Sequence, residues 1–186
     1  MKNFIVISGS SGSGKTTLIE LLSRDLNISI SVSSTTRAKR DYEVNGVHYN
    51  FISKDQFDDM ISKNEFLEYE NVHGDWYGTP KKGLQKYIDS NLQLFLELDV
   101  RGAISLMKFF PKNTISIFLS PPNIDELRNR LIKRSTETSE QIETRLGRYQ
   151  VEDNLKKEFD YNLINDNFET TFEVIKKIVL NCKLGD

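Results

Sequence analysis

A chain of 186 residues, 38% hydrophobic and 28% charged, has the composition of a globular domain long enough to bury a core without staples. Its one cysteine, Cys182, excludes an intramolecular disulfide and reads as core filler or surface rather than as a nucleophile. A net charge of −2 excludes a general nucleic-acid binder, so an anionic ligand must be met by local clusters of Arg and Lys.

The first element predicted is a buried strand, Phe4–Ser8, followed at once by a glycine-rich loop and a helix over Lys15–Leu26. A second strand is expected over 28–33. Residues 34–91 then break the rhythm. Two strand patterns, 48–52 and Phe66–Val72, flank a short helical pattern at 55–63. Asn45-Gly46 and His73-Gly74-Asp75 mark turns between them. This reads as a small β-rich insertion. Beyond it the alternation resumes: strands at 92–100, Thr114–Ser120 and 161–165, and helices at 102–109, 124–134, 139–155 and 168–183. Alternating strands and helices imply crossover connections and a parallel sheet. The expected fold is α/β, with a five-stranded parallel core flanked by helices. In a single domain, the core takes residues 1–33, 92–125 and 158–186. The insertion takes 34–91 and a helical lid takes 126–157. No targeting segment or membrane-length apolar run is visible, so a cytoplasmic protein with no membrane partner is expected.

Gly9-Ser10-Ser11-Gly12-Ser13-Gly14-Lys15-Thr16 matches G-x-x-x-x-G-K-[ST] in the required strand–loop–helix setting. Small residues let backbone N–H groups wrap a polyphosphate, and the new helix N-terminus adds partial positive charge. Lys15 can reach the outer phosphates and the Thr16 hydroxyl can hold Mg²⁺. Thr17 completes the stretch. A nucleoside triphosphate is the expected ligand.

The partner that receives the phosphate is sought in Ser33-Ser34-Thr35-Thr36-Arg37-Ala38-Lys39-Arg40, where hydroxyls and cations concentrate. Arg37 and Arg40 are fork-shaped donors suited to a phosphate, although a solvated basic loop has the same composition. Glu43-Val44-Asn45-Gly46-Val47-His48-Tyr49-Asn50-Phe51, Glu65-Phe66-Leu67-Glu68 and Trp76-Tyr77-Gly78-Thr79-Pro80 follow.

With its phosphate loop, S-S-T-T-R-x-x-R, E-x-x-G-x-x-Y-x-F, E-F-x-E, Y-G-T, D-x-x-G, R-x-T-E and N-D in that order from Phe4 to Asp166, the chain resembles the guanylate kinase family. The resemblance implies phosphoryl transfer from ATP to GMP with Mg²⁺, and leaves dGMP open as a second acceptor. It implies that Arg37 and Arg40 grip the GMP phosphate together with Tyr49 and Tyr77. Ser33, Glu68 and Thr79 would read the guanine edge. Asp99, in Leu98-Asp99-Val100-Arg101-Gly102, would lie near the acceptor and the metal. Arg134 and Arg145 would clasp the transferring group from the lid, and Asn165 and Asp166 would border the adenine. The expected assembly is a monomer or a small homo-oligomer.

The departures are an acceptor loop without the usual Pro and Gly (Ala38-Lys39-Arg40-Asp41-Tyr42), Ser135 for a lid glycine, and Glu97 where aspartate is common. His48 and His73 read as turn or surface residues and Trp76 as packing. Arg130 reads as the surface partner of Glu126, and Arg148 shares the helix face of Arg145. Two other functions compete. One is a kinase for a different nucleotide or a phosphorylated ribose on the same scaffold. The other is a non-catalytic guanylate-kinase-like interaction domain. The retained guanine readers disfavour the first, and the intact Lys15 and Thr16 disfavour the second.

Overall fold

The structure, a computed structural model, describes residues 1–72, 74–133 and 138–184. The chain divides into two compact units, Met1–Ile30 with Gln93–Asp186, and Ser31–Leu92.

The first unit is built on a five-stranded sheet. In chain order its strands are β1 (Phe4–Ser8), β2 (Ser29–Ile30), β7 (Leu94–Glu97), β8 (Thr114–Ser120) and β9 (Tyr161–Ile164). In space they lie β2-β7-β1-β8-β9, and every pairing is parallel. The central strands β1 and β8 are buried along their whole length. That is why their sequences, FIVIS and TISIFLS, lack the alternation of a half-exposed strand. Helices α1 (Lys15–Leu26), α4 (Val100–Phe109), α5 (Ile124–Lys133), α6 (Ser139–Asp153) and α7 (Phe168–Leu184) complete the unit. Helix α1 buries Leu18, Ile19 and Leu22 on one face, and Asn27, at φ 52, stops it in the left-handed conformation. The main core joins these residues to Ile5, Ile7, Phe95, Ile117, Leu119 and Ile175. Leu127 and Leu131 of α5 pack on Ile142 and Leu146 of α6 in a smaller cluster.

The second unit holds β3 (Ser34–Thr35), β4 (Asn50–Phe51), α2 (Lys54–Ser62), β5 (Phe66–Val72), β6 (Asp75–Pro80) and α3 (Leu84–Asp89). Its sheet runs β4-β3-β6-β5. Its core is aromatic. Phe57, fully buried, stacks on Phe66 at 4.3 Å, and Trp76 and Tyr69 close around them.

Several expected elements shorten. The strand expected over 28–33 pairs only at Ser29–Ile30 in the main sheet, because Ser34–Thr35 pairs in the other sheet instead. The strand expected over 92–100 ends at Glu97, since Asp99 already caps α4. The strand expected over 48–52 reduces to Asn50–Phe51. The helix expected over 139–155 ends at Asp153. Strands β3 and β6 and helix α3 are additions to the expected set.

Candidate functional site

The glycine-rich loop leaves the carboxyl end of β1 and enters α1, the end of a parallel sheet where ligands gather. Gly9 has φ +132, and a Cβ there would lie 2.1 Å from the Leu119 carbonyl oxygen. Gly14 has φ +97, and a Cβ would lie 2.5 Å from Asn165 Nδ2. No side chain fits at either position. The Lys15 ammonium donates to the carbonyls of Gly9 and Ser10, both at 2.8 Å, and so folds back along the loop. The Ser13 N–H closes the turn onto the Ser10 carbonyl at 3.2 Å.

The N-termini of α2, α4 and α6 each receive a side-chain cap, from Ser53, Asp99 and Thr138. Gly14 gives α1 no such cap, so the first-turn N–H groups keep their donors and their positive end of the helix dipole. The hydroxyls of Ser8, Ser10 and Ser13 are buried with no hydrogen-bond partner among the described residues. Unsatisfied buried groups at one uncapped helix start suit an anionic ligand.

Other segments of the same unit converge on this loop. Arg145 of α6 donates through Nη1 to the Ser11 hydroxyl. Asn165, just after β9 and 4% exposed, donates through Nδ2 to the Ser13 carbonyl at 2.8 Å. Arg130 of α5 pairs with Glu126 at 2.9 Å and donates to the Asn165 carbonyl at 3.0 Å. Thr16 Oγ1 donates to Glu97 Oε1 at 2.8 Å. Asp99 accepts from the Gly102 N–H at 2.6 Å. Thr17 and Asp166 are exposed. A hydroxyl and carboxylates within a few residues on adjacent elements suit Mg²⁺, which takes few protein ligands and leaves other positions to water and substrate phosphate.

In the second unit the sheet assembles a different set. Pairing of β3 with β6 and of β6 with β5 brings Glu68 opposite Thr79. Thr79 donates to Glu68 Oε1 at 2.6 Å, and the hydroxyls of Ser33 and Thr79 lie 3.3 Å apart. The three expected guanine readers therefore form one hydrogen-bonded group. Tyr49 and Tyr77 meet edge to face at 5.8 Å, and the Arg37 guanidinium lies 5.8 Å from the Tyr49 ring centre and 5.6 Å from that of Phe51.

Glu43 holds the phosphate-gripping candidates in place. Its carboxylate takes both arms of the Arg37 fork, at 2.6 and 3.1 Å, and the Arg40 N–H at 2.7 Å. The bonded Arg37 fork, helped by the Arg40 backbone and opposed by burial, holds the Glu43 carboxyl down at about 2. Arg37 is correspondingly raised, first by Glu43 and further by a hydrogen bond with Tyr77. The Arg40 side chain turns to the Tyr42 hydroxyl at 2.8 Å.

Among the described residues the structure thus groups Ser33, Glu68 and Thr79, and groups Arg37, Tyr49 and Tyr77. Asp99 belongs to the first unit, where it caps α4. Arg134 lies outside the described residues, as does His73. Sequence reasoning places Glu43 only as the first residue of E-x-x-G-x-x-Y-x-F and gives it no role, although an acid three residues after Arg40 in a basic loop is a readable signal. It noted Glu97 only as a departure, and saw the pairing of Arg130 with Glu126 but not its bond to Asn165. His48 accepts a turn hydrogen bond from the Val44 N–H at 3.0 Å, Trp76 packs 5.9 Å from Phe57, and Cys182 packs partly buried against the main core.

The family model for guanylate kinase matches residues 1–181. A guanylate kinase of Clostridium tetani is 43% identical over 94% of this chain and 84% of its own. One from Halalkalibacterium halodurans is also 43% identical, over 96% and 89%. The crystal structure of guanylate kinase from Anaplasma phagocytophilum superposes with a TM-score of 0.78 at 30% identity, covering 99% of this chain and 87% of that one. A phosphate-binding loop on a parallel sheet, a hydrogen-bonded Ser–Thr–Glu group, an edge-to-face pair of tyrosines, and relatives matched over most of both chains agree: the chain belongs to the guanylate kinase family.

Proposed function

We infer that this protein is a guanylate kinase, transferring the γ-phosphoryl group of ATP to GMP to give ADP and GDP. The observation that carries the reading is the Ser33–Thr79–Glu68 group, a carboxylate held by a hydroxyl at 2.6 Å in a chain that also carries the Lys15 loop. Guanine offers N1–H and the exocyclic amine side by side, and a fixed carboxylate accepts from both. Adenine offers an acceptor at N1, which a carboxylate repels.

Phosphoryl transfer asks little covalent chemistry of a protein. It asks for positioning and for positive charge where negative charge spreads. Lys15, the α1 N-terminus and Arg145 are assigned to the ATP phosphates, with Gly9, Ser10, Ser11, Gly12, Ser13, Gly14, Thr16 and Thr17 as the loop around them. Arg37, Arg40, Tyr49 and Tyr77 are assigned to the acceptor phosphate, and Glu43 keeps the Arg37 fork from swinging. Arg134 remains assigned to the lid. Thr16, Glu97 and Asp99 would hold Mg²⁺, which when bound neutralises phosphate charge. The Mg²⁺ cofactor, the residue roles and a cytoplasmic location are parts of this proposal. No helix among the described residues is long and apolar enough to cross a membrane.

The test is ADP release in a coupled assay with GMP, dGMP, AMP, CMP, UMP and a ribose phosphate as acceptors. GMP is expected to be the preferred acceptor by at least about a hundredfold over AMP, the scale of a site built to hydrogen-bond a partner that the analogue lacks. Turnover of AMP or a ribose phosphate at the rate of GMP overturns the substrate. Absence of turnover with every acceptor overturns the catalytic reading.

A further inference from the structure

We propose that Asn165 is a positioning residue for the phosphate loop, steadied by Arg130, and that its side chain does not read the adenine. The inference rests on the reading that the loop takes the phosphates of ATP.

The argument starts from one peptide. Asn165 Nδ2 holds the Ser13 carbonyl at 2.8 Å, in a buried setting. The peptide between Ser13 and Gly14 is trans, so its N–H points opposite to its C=O. Fixing the carbonyl toward β9 therefore fixes the Gly14 N–H on the other side, at the uncapped start of α1. The close approach explains why position 14 carries no side chain: a Cβ would fall 2.5 Å from this same amide nitrogen. Asn165 is itself anchored at both backbone groups. Its N–H donates to the Ser120 carbonyl at 2.8 Å at the end of β8, and its carbonyl accepts from Arg130 Nη2 at 3.0 Å. Arg130 is in turn steadied by Glu126 at 2.9 Å. One of the two Nδ2 donors is thus committed to a buried carbonyl, and that bond holds the amide turned into the loop. The chain Glu126–Arg130–Asn165–Ser13 thus runs from α5 to the loop and sets the direction of a backbone donor.

A loop positioner and an adenine reader predict opposite behaviour toward a ligand without a base. Asn165→Ala and Arg130→Gln are made in the full chain, and binding of Mg²⁺–tripolyphosphate and Mg²⁺–ATP is measured by calorimetry beside the KM values for ATP, ITP and GMP. For Asn165→Ala, affinity for ATP and for tripolyphosphate is expected to fall by the same factor, about tenfold for one buried hydrogen bond. The ATP-to-ITP ratio and the KM for GMP stay unchanged. Arg130→Gln follows the same pattern with a smaller loss, and decides the matter if Asn165→Ala does not melt cooperatively. Unchanged tripolyphosphate affinity, or a collapsed ATP-to-ITP ratio, overturns the proposal. A wild-type protein that binds neither probe overturns the functional reading instead.

Discussion

At Lys15 a single positive charge lies 2.8 Å from two carbonyl oxygens of its own loop. On the proposed reading its stronger partners are the outer phosphate oxygens, whose charge grows in the transition state. Lys15→Ala is expected to lower kcat more than a hundredfold, the cost of about 3–4 kcal/mol for one pre-organised charge contact. Retention of a tenth of wild-type kcat (on that same rough scale) in steady-state assays would place the working site elsewhere. On the same reading Glu68 sets the base. IMP lacks the exocyclic amine, so GMP should exceed IMP about ten- to a hundredfold in kcat/KM, from a charged hydrogen bond of roughly 1.5–3 kcal/mol. Glu68→Gln loses GMP activity and narrows that gap; an intact gap moves the reader to Ser33, Thr79 or Asp99. Glu43 acts through acidity. Its folded-state value of about 2 lies below the ordinary 4.5, so the pair with Arg37 stabilises fully above the ordinary range and is lost as pH falls through that window. Denaturant midpoints should show Glu43→Gln below wild type at neutral pH, with the difference closing as pH approaches 2. A constant difference across the titration would show that the contribution of Glu43 does not depend on its ionisation.

At the scale of elements, caps decide where helices begin. Ser53 accepts from the Gln56 N–H at 3.1 Å, and Gln56 returns a bond to the Ser53 N–H at 2.9 Å. Ser53→Ala is expected to cost about 1 kcal/mol, read as a lowered urea midpoint with an unchanged slope. A neutral result means the cap is replaced by water. What the residues made legible follows the same logic. Phe4–Ser8, Lys15–Leu26, Phe66–Val72 and Thr114–Ser120 appear with the boundaries expected, because each is a buried run or a clear amphipathic period with sharp ends. Strand β6, DWYGTP, was hidden because glycine and proline obscure its pattern, and its pairing depends on distant β3 as well as on its neighbour β5. Helix α3 has six residues behind Gly83, too few to show a period. The site was legible where chemistry sits in motifs, as at Lys15, Glu68 and Thr79. It was not legible where a role depends on rotamer: the inward turn of Asn165 and the capture of Arg37 by Glu43 exist only after folding.

For the whole molecule, the two units keep separate cores. The first is aliphatic, around Ile5, Leu22 and Ile117. The second rests on Phe57 and its aromatic neighbours. Phe57→Ala should cost about 3–5 kcal/mol and fall on the second unit alone. Hydrogen exchange is expected to show faster opening of residues 31–92 and a lost GMP response, while calorimetric binding of Mg²⁺–tripolyphosphate persists. Loss of both together would mean the units unfold as one.

The central place of β1 has a consequence for the order of events during synthesis. Phe4 pairs with Leu94 on one side and Thr114 on the other. Strand β1 therefore waits, apolar on both faces, while all of residues 31–92 emerges. The intervening residues pair among themselves: β5 and β6 are consecutive, and all four strands of the sheet β4-β3-β6-β5 lie between residues 34 and 80. The inserted unit is thus free to mature early, and the phosphate loop takes shape only when β7 and β8 arrive to flank the strand that precedes it. Until then Phe4-Ile5-Val6-Ile7 stays apolar and unpaired, so the stretch that carries the nucleotide loop is open to misassembly while residues 31–92 are made.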